Sequence, residues 1–133
     1  MTDSYLPLLD AAIDALRGDT SVAALVGARV YNEVPDNPVF PYIVVLINSV
    51  PYNTKDVAGM EHTLQLNIYS RKKGSKESGQ IRAACYDVLN RNESGLASAG
   101  VINIEFNGIA QTVKDSDGVS WFSAMQFRTV IIA

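Results

Sequence analysis

A chain of 133 residues with 47% hydrophobic and 19% charged side chains has the size and composition of one folded domain, 1–133, and by size scaling it buries roughly 65 to 70% of its unfolded surface. A net charge of −3 and a pI near 5.0 argue against a general nucleic-acid binder. No apolar run nears the roughly 20 residues of a membrane span, and the single Cys85 rules out an internal disulfide and leaves a zinc site short of thiolates.

The first stretch, "MTDSYLPLLDAAIDALRGD", carries acids where a secretory leader carries basic residues ahead of an apolar run, so an untargeted, intracellular chain is expected. Leu6, Leu9, Ile13 and Leu16 recur at helical spacing, with Asp3 or Ser4 as cap, Pro7 in the first turn and Gly18 as the stop. "DTSVAALVG" predicts a second, shorter helix from Asp19 or Thr20 to Gly27.

"RVYNEV" predicts a short strand, and then come Pro35, Pro38 and Pro41. Proline fixes φ, has no N–H to donate and biases its predecessor toward extended backbone, so this segment reads as a stiff, unpaired connector that ends where a strand begins. "YIVVLINSV" has no polar alternation over its aliphatic run and predicts a strand covered on both faces. "EHTLQLNIYS" alternates: His62, Leu64, Leu66 and Ile68 share a core face, and Glu61, Thr63, Gln65 and Asn67 an opposite face that is wet or an interface. Between these strands "PYNTKDVAG" exceeds the usual two to five residues of a hairpin loop and predicts a protruding arm, residues 51 to 60.

"GSKESGQIRAACYDVLNRN" places Ile81, Ala84, Cys85, Val88 and Leu89 on one helical stripe, with Gly79 a weak point near its start. "VINIEF" predicts a strand with Ile102, Ile104 and Phe106 inward, and Asp117-Gly118 a two-residue hairpin turn into the last strand. Counting outward from that turn, Trp121 faces Lys114, Met125 faces Ala110, Phe127 faces Gly108 and Ile131 faces Ile104, unless a bulge near Gly108 shifts the later pairs. The element order gives an α+β fold: a mainly antiparallel sheet of about four long strands with helices packed on it.

Catalytic constellations are missing. His62 is the only histidine, and alternation puts it on the apolar face of a strand, where a packed ring with satisfied nitrogens is expected. Cys85 sits mid-helix as a small core hydrophobe. Asp115 and Asp117 flank a turn whose chemistry accounts for Asp117, while Trp121 and Phe127 read as core. No phosphate-cradling loop is present. The cluster "RKKGSK" stands out: removing Arg71, Lys72, Lys73 and Lys76 leaves 7 basic side chains against 14 acidic, and cations at a helix N-terminus oppose its dipole. A solvated loop explains it, as does a contact with an acidic protein surface or DNA phosphates.

The succession "ALRGDTSVAALVGARVYNEVPDNPVFPYIVV", "GMEHTLQLNIYSRKKGSKES" and "DGVSWFSAMQFR" resembles the tail completion family of long-tailed phages, prophages and gene transfer agents, from Leu16 to Arg128. The family-like pieces are Gly27, Val30 and Tyr31, then Pro41 and Tyr42, then His62 and Tyr69, and last Trp121, Phe127 and Arg128. The resemblance implies a tail-terminator-like virion protein, without enzymatic activity, cofactor or metal, made in the host cytoplasm and built into the tail or neck. It would form a ring, homohexameric by that likeness, that stops growth of the tube and joins the tail to the head–tail connector or stopper. The implied partners are copies of itself, the tail tube protein and the connector, with non-specific proximity to DNA in the lumen and no membrane. Candidate partner or subunit contacts are Tyr52, Asn53, Thr54, Lys55, Asp56 and Val57 on the arm, and Arg71, Lys72, Lys73 and Lys76; Glu61, Thr63, Gln65 and Asn67 are candidates for a lumen or subunit joint. The alternatives are a head-closure or other neck ring protein, a small ligand-binding domain or enzyme centred on His62, and a nucleic-acid binder using the basic loop.

Overall fold

The computed structural model describes residues 3–53, 58–72, 74–114 and 116–132. Helix α1 (Tyr5–Gly18) is followed at once by α2 (Thr20–Val26). Asp19 makes this possible: its extended backbone breaks α1, and its carboxylate accepts from Val22 N at 3.0 Å to cap α2. Gly27, at φ 61°, closes α2 in a conformation that suits glycine. Strand β1 (Val30–Tyr31) leads into the proline segment, and β2 (Tyr42–Asn53) starts directly after Pro41. Then follow β3 (Ala58–Ser70), α3 (Lys76–Leu89), a 3₁₀ turn (Ser94–Ala99), β4 (Val101–Lys114) and β5 (Trp121–Ile132).

The sheet order is β1-β2-β3-β5-β4. The four long strands are antiparallel, as expected, but β1 joins β2 in parallel, so the sheet is mixed and among the described residues has five strands. Alternation divides it cleanly. Ile43, Val45, Leu64, Leu66, Ile68, Ile104, Met125 and Phe127 point to one face and are almost wholly buried. They form one core with Leu8, Leu9, Ala12 and Leu16 of α1, Val22 and Val26 of α2, and Ile81, Cys85 and Leu89 of α3. The helices therefore lie on a single face of the sheet.

Several expectations are corrected. The ladder between β2 and β3 runs on to Asn53↔Ala58, and β5 accompanies β3 as far as Gly59↔Ile132, so residues 51–53 and 58–60 of the expected arm are sheet. Residues 54–57 lie outside the described residues. Strand β2 is covered on both faces only from Tyr42 to Val45; Leu46 is 40% and Val50 54% exposed.

The register at the β4–β5 turn is as counted, Lys114↔Trp121 and Ala110↔Met125, although the strands stop six residues apart instead of meeting in a two-residue turn. Past an irregularity between Phe106 and Ala110 the partners of Phe127 and Ile131 become Phe106 and Val101, not Gly108 and Ile104. A second irregularity between Val101 and Asn103 turns Ile102 outward, 57% exposed, and Val101 takes the inward place.

Candidate functional site

With every helix on one side, the opposite face of the sheet is bare, and its side chains divide into three zones. At the Tyr42 end, aromatic rings cross neighbouring strands in a row. Phe40 meets Tyr42 edge-on at 4.9 Å between centroids, Tyr42 stacks on Tyr69 at 5.1 Å and 24°, and Tyr69 meets Phe122 at 5.2 Å. Tyr31 joins from β1 at 6.2 Å. Tyr42 and Val44 are both buried at this end of the open side.

The middle zone is a chain of amides. Asn107 Nδ2 donates to Gln126 Oε1 at 3.4 Å, Gln126 Nε2 to Gln65 Oε1 at 3.0 Å, and Gln65 Nε2 to Asn67 Oδ1 at 2.8 Å. Toward the far end Arg128 Nε donates to Glu61 at 2.6 Å, and its Nη1 lies 3.9 Å from Glu105. Arg91 meets the other Glu105 oxygen at 3.9 Å and Glu93 at 3.5 Å. Glu93 also accepts from Ile104 N at 2.9 Å, which ties this ion chain to β4. Leu46 and Val50 stand exposed among these groups, opposite Gln65 and Glu61, and Val113 stands exposed opposite Phe122 at the aromatic end.

The four residues expected at a lumen or joint, Glu61, Thr63, Gln65 and Asn67, thus lie on this bare face, Glu61 and Gln65 bonded across to β5. The expected contact residues are not brought together. Tyr52 and Asn53 end β2, whereas Arg71 and Lys72 follow the far end of β3, about 40 Å away along 13 residues of strand. Thr54, Lys55, Asp56, Val57 and Lys73 lie outside the described residues, as does Asp115.

The charge problem at the start of α3 is relieved locally. Glu77 in the first turn accepts from Ser70 Oγ at 2.7 Å and sits 3.4 Å from Lys72 Nζ. Arg71 lies with its guanidinium carbon 4.2 Å over the Phe40 ring, donates to Ser120 Oγ at 3.2 Å and approaches Asp117 at 4.0 Å. Asp117 organises its turn by accepting from Ser120 Oγ and from the N–H groups of Ser120 and Val119. Those bonds, the Ser120 hydroxyl first, hold its carboxyl down at about 2.

Sequence reasoning misses the aromatic row and the ion chain. The only local signals are Tyr69 on the polar face of an alternating strand, and opposite charges at Glu61 and Arg128, which the register places on one face two residues apart, Arg128 opposite Thr63 and Glu61 opposite Val130.

His62 is fully buried, with Nε2 2.7 Å from Ser4 Oγ and Nδ1 2.7 Å from Ser49 Oγ, so both ring nitrogens are engaged. Burial lowers its pKa from the ordinary 6.5, and Asp3 acts the other way. Cys85 is buried in the core, which pushes its thiol to about 12 and away from thiolate chemistry. Among the described residues no group of three or more His, Cys, Asp or Glu is placed to hold a metal.

Compared with known proteins, residues 10–132 match the family described as tail completion protein gp17. Among solved structures the chain is similar to one in the virion of a native gene transfer agent (GTA) particle, with a TM-score of 0.82, 21% identity and 95% of each chain covered. At that identity the likeness concerns the fold. No curated protein matches.

Proposed function

The chain belongs to the tail completion protein gp17 family, and on that premise we propose that it acts as a tail terminator, a ring on the last layer of the tail tube that halts polymerisation and receives the head connector. Family membership makes it a structural protein of phage tails; the ring, its place and its partners are the proposal. One observation carries it. A sheet of four long strands keeps all its helices on one face and leaves the other bare, lined by cross-bonded amides, a short ion chain and exposed Leu46 and Val50. A chain that uses its sheet for assembly needs such a surface, and side chains already held by their neighbours lose little freedom when a partner docks.

In this reading the 1–133 chain is one domain. The bare face, with Glu61, Thr63, Gln65 and Asn67, lines the lumen or the joint between copies, and the basic segment 71–76 meets a neighbour, the tube protein or the connector. DNA passes the lumen without specific recognition. The deep burial of His62 and its two hydroxyl partners supports an assembly role over an enzyme built on that ring.

The test is direct: purified protein is mixed with tail tubes and imaged by electron microscopy. One ring per tube is expected, at a single end, with tube growth arrested; six copies of 14.4 kDa would weigh about 86 kDa. Tubes that keep elongating with bare ends overturn the proposal, and binding to connectors without binding to tubes would make it a head-closure ring.

A further inference from the structure

Two surfaces, one at the aromatic end of the sheet and one on the helical side, complement each other in charge. The first is basic on balance, although Arg71 approaches Asp117 and Lys72 approaches Glu77. Lys72 and Lys76 are exposed beside Arg71, and among the described residues Lys76 has no ion-pair partner. Val39 and Val119 are 63% and 59% exposed. Both valines are anchored to this corner: Val39 precedes the Phe40 ring that Arg71 covers, and Val119 lies in the turn where Asp117 and Ser120 hold Arg71.

The second is concave and acidic. Where the ends of α1 and α3 meet the segment after α3, a cleft of about 650 Å³ opens, lined by Asp14, Asp19 and Asp87 with Ala15 and Val88 between them. Arg91 also lines it, 3.5 Å from Glu93 and 3.9 Å from Glu105, and the three aspartates outnumber it.

These surfaces cannot satisfy one another within a chain. Lys76 opens α3 and Asp87 lies eleven residues on, about 16 Å along the axis, beyond the roughly 8 to 10 Å over which exposed charges act at ordinary ionic strength. We infer that they meet between copies: the Val39–Val119 knob with Lys72 and Lys76 of one chain seats in the Asp14–Asp87 cleft of the next. Because the two patches differ, the contact is head-to-tail, the kind that propagates from copy to copy and forms a ring where its rotation closes. The inference rests on the terminator reading and names the contact that would build its ring.

Charge exchange tests it. Asp14→Lys with Asp87→Lys makes the cleft basic, and Lys72→Glu with Lys76→Glu makes the knob acidic; all four positions are exposed. Self-association is followed by sedimentation at low salt and ring occupancy by counting capped tube ends. Each double variant alone should lose tenfold or more in association, because its knob and cleft then carry the same sign. An equimolar mixture should recover it, each variant's knob now opposing the other's cleft. Double variants that associate like the original chain, or a mixture that stays monomeric and caps no tubes, overturn the contact. Should every variant still form rings on tubes, the contact is wrong while the terminator reading stands. Should the unaltered chain never cap a tube, both fall together.

Discussion

His62 Nε2 sits 2.7 Å from Ser4 Oγ, so the residue that opens α1 spends its side chain on the sheet and not on its own helix. Ser4 makes no capping bond with its hydroxyl, and Asp3 accepts from Tyr5 N at 3.0 Å instead. Ser4→Ala should therefore leave the helix end intact while stranding one buried nitrogen, at a cost of about 1–3 kcal/mol. Ser49 is exposed, and water can replace its hydroxyl; Ser49→Ala should cost less than about 1 kcal/mol. Urea denaturation of both variants checks the order, and equal losses would contradict it.

The same imidazole sets a pH window. Burial lowers the pKa of His62 in the folded chain below its ordinary 6.5, so the unfolded chain binds the proton more readily. Its contribution is fully present above pH 6.5 and is lost as pH falls through that value toward the folded pKa, with a slope of at most about 1.4 kcal/mol per pH unit. Asp117 acts in a separate window: its pKa falls from 3.8 to about 2 on folding, so its contribution is lost only below about pH 4. Denaturant midpoints at pH 7.5 and 5.5 should differ for the original chain, and the difference should shrink in His62→Gln.

Local chemistry made much of the fold readable, and long-range register hid the rest. Asp19, Gly27 and the α3 stripe of Ile81, Cys85 and Leu89 act where the sequence puts them, because caps and helical periods are short-range. The alternation of β3 separated its two faces for the same reason. The aromatic row was hidden, since Phe40, Tyr42, Tyr69 and Phe122 come together only when three strands are paired in register. The outward turn of Ile102 was hidden too: the irregularity that causes it leaves no residue signal in "VINIEF".

Two glycines should respond oppositely to alanine. A Cβ at Gly59 would run into the backbone carbonyl of Ile131 on β5, and neither strand can yield without breaking the ladder, so Gly59→Ala should destabilise the chain by about 1–3 kcal/mol. At Gly79 on α3 a Cβ meets nothing within 4 Å, and removing a helical glycine should stabilise by about 0.5–1 kcal/mol. Melting temperatures moving in the same direction for both would refute this reading of β3 and α3.

Neighbouring residues on β2 separate folding from assembly. Val45 is fully buried against the helices, whereas Leu46, on the bare face, is 40% exposed. A carboxylate at position 45 would enter the core without a partner, and Val45→Glu should lose several kcal/mol, or unfold the chain. At position 46 a carboxylate stays in water, so Leu46→Glu should change monomer stability by no more than about 0.5 kcal/mol. It would nonetheless place a charge among residues that a partner must dehydrate. If the bare face is the assembly surface, Leu46→Glu should yield a normally folded protein that fails to cap tail tubes; tubes capped at the ordinary length by that variant would show that the face stays solvated and that assembly uses another side of the molecule.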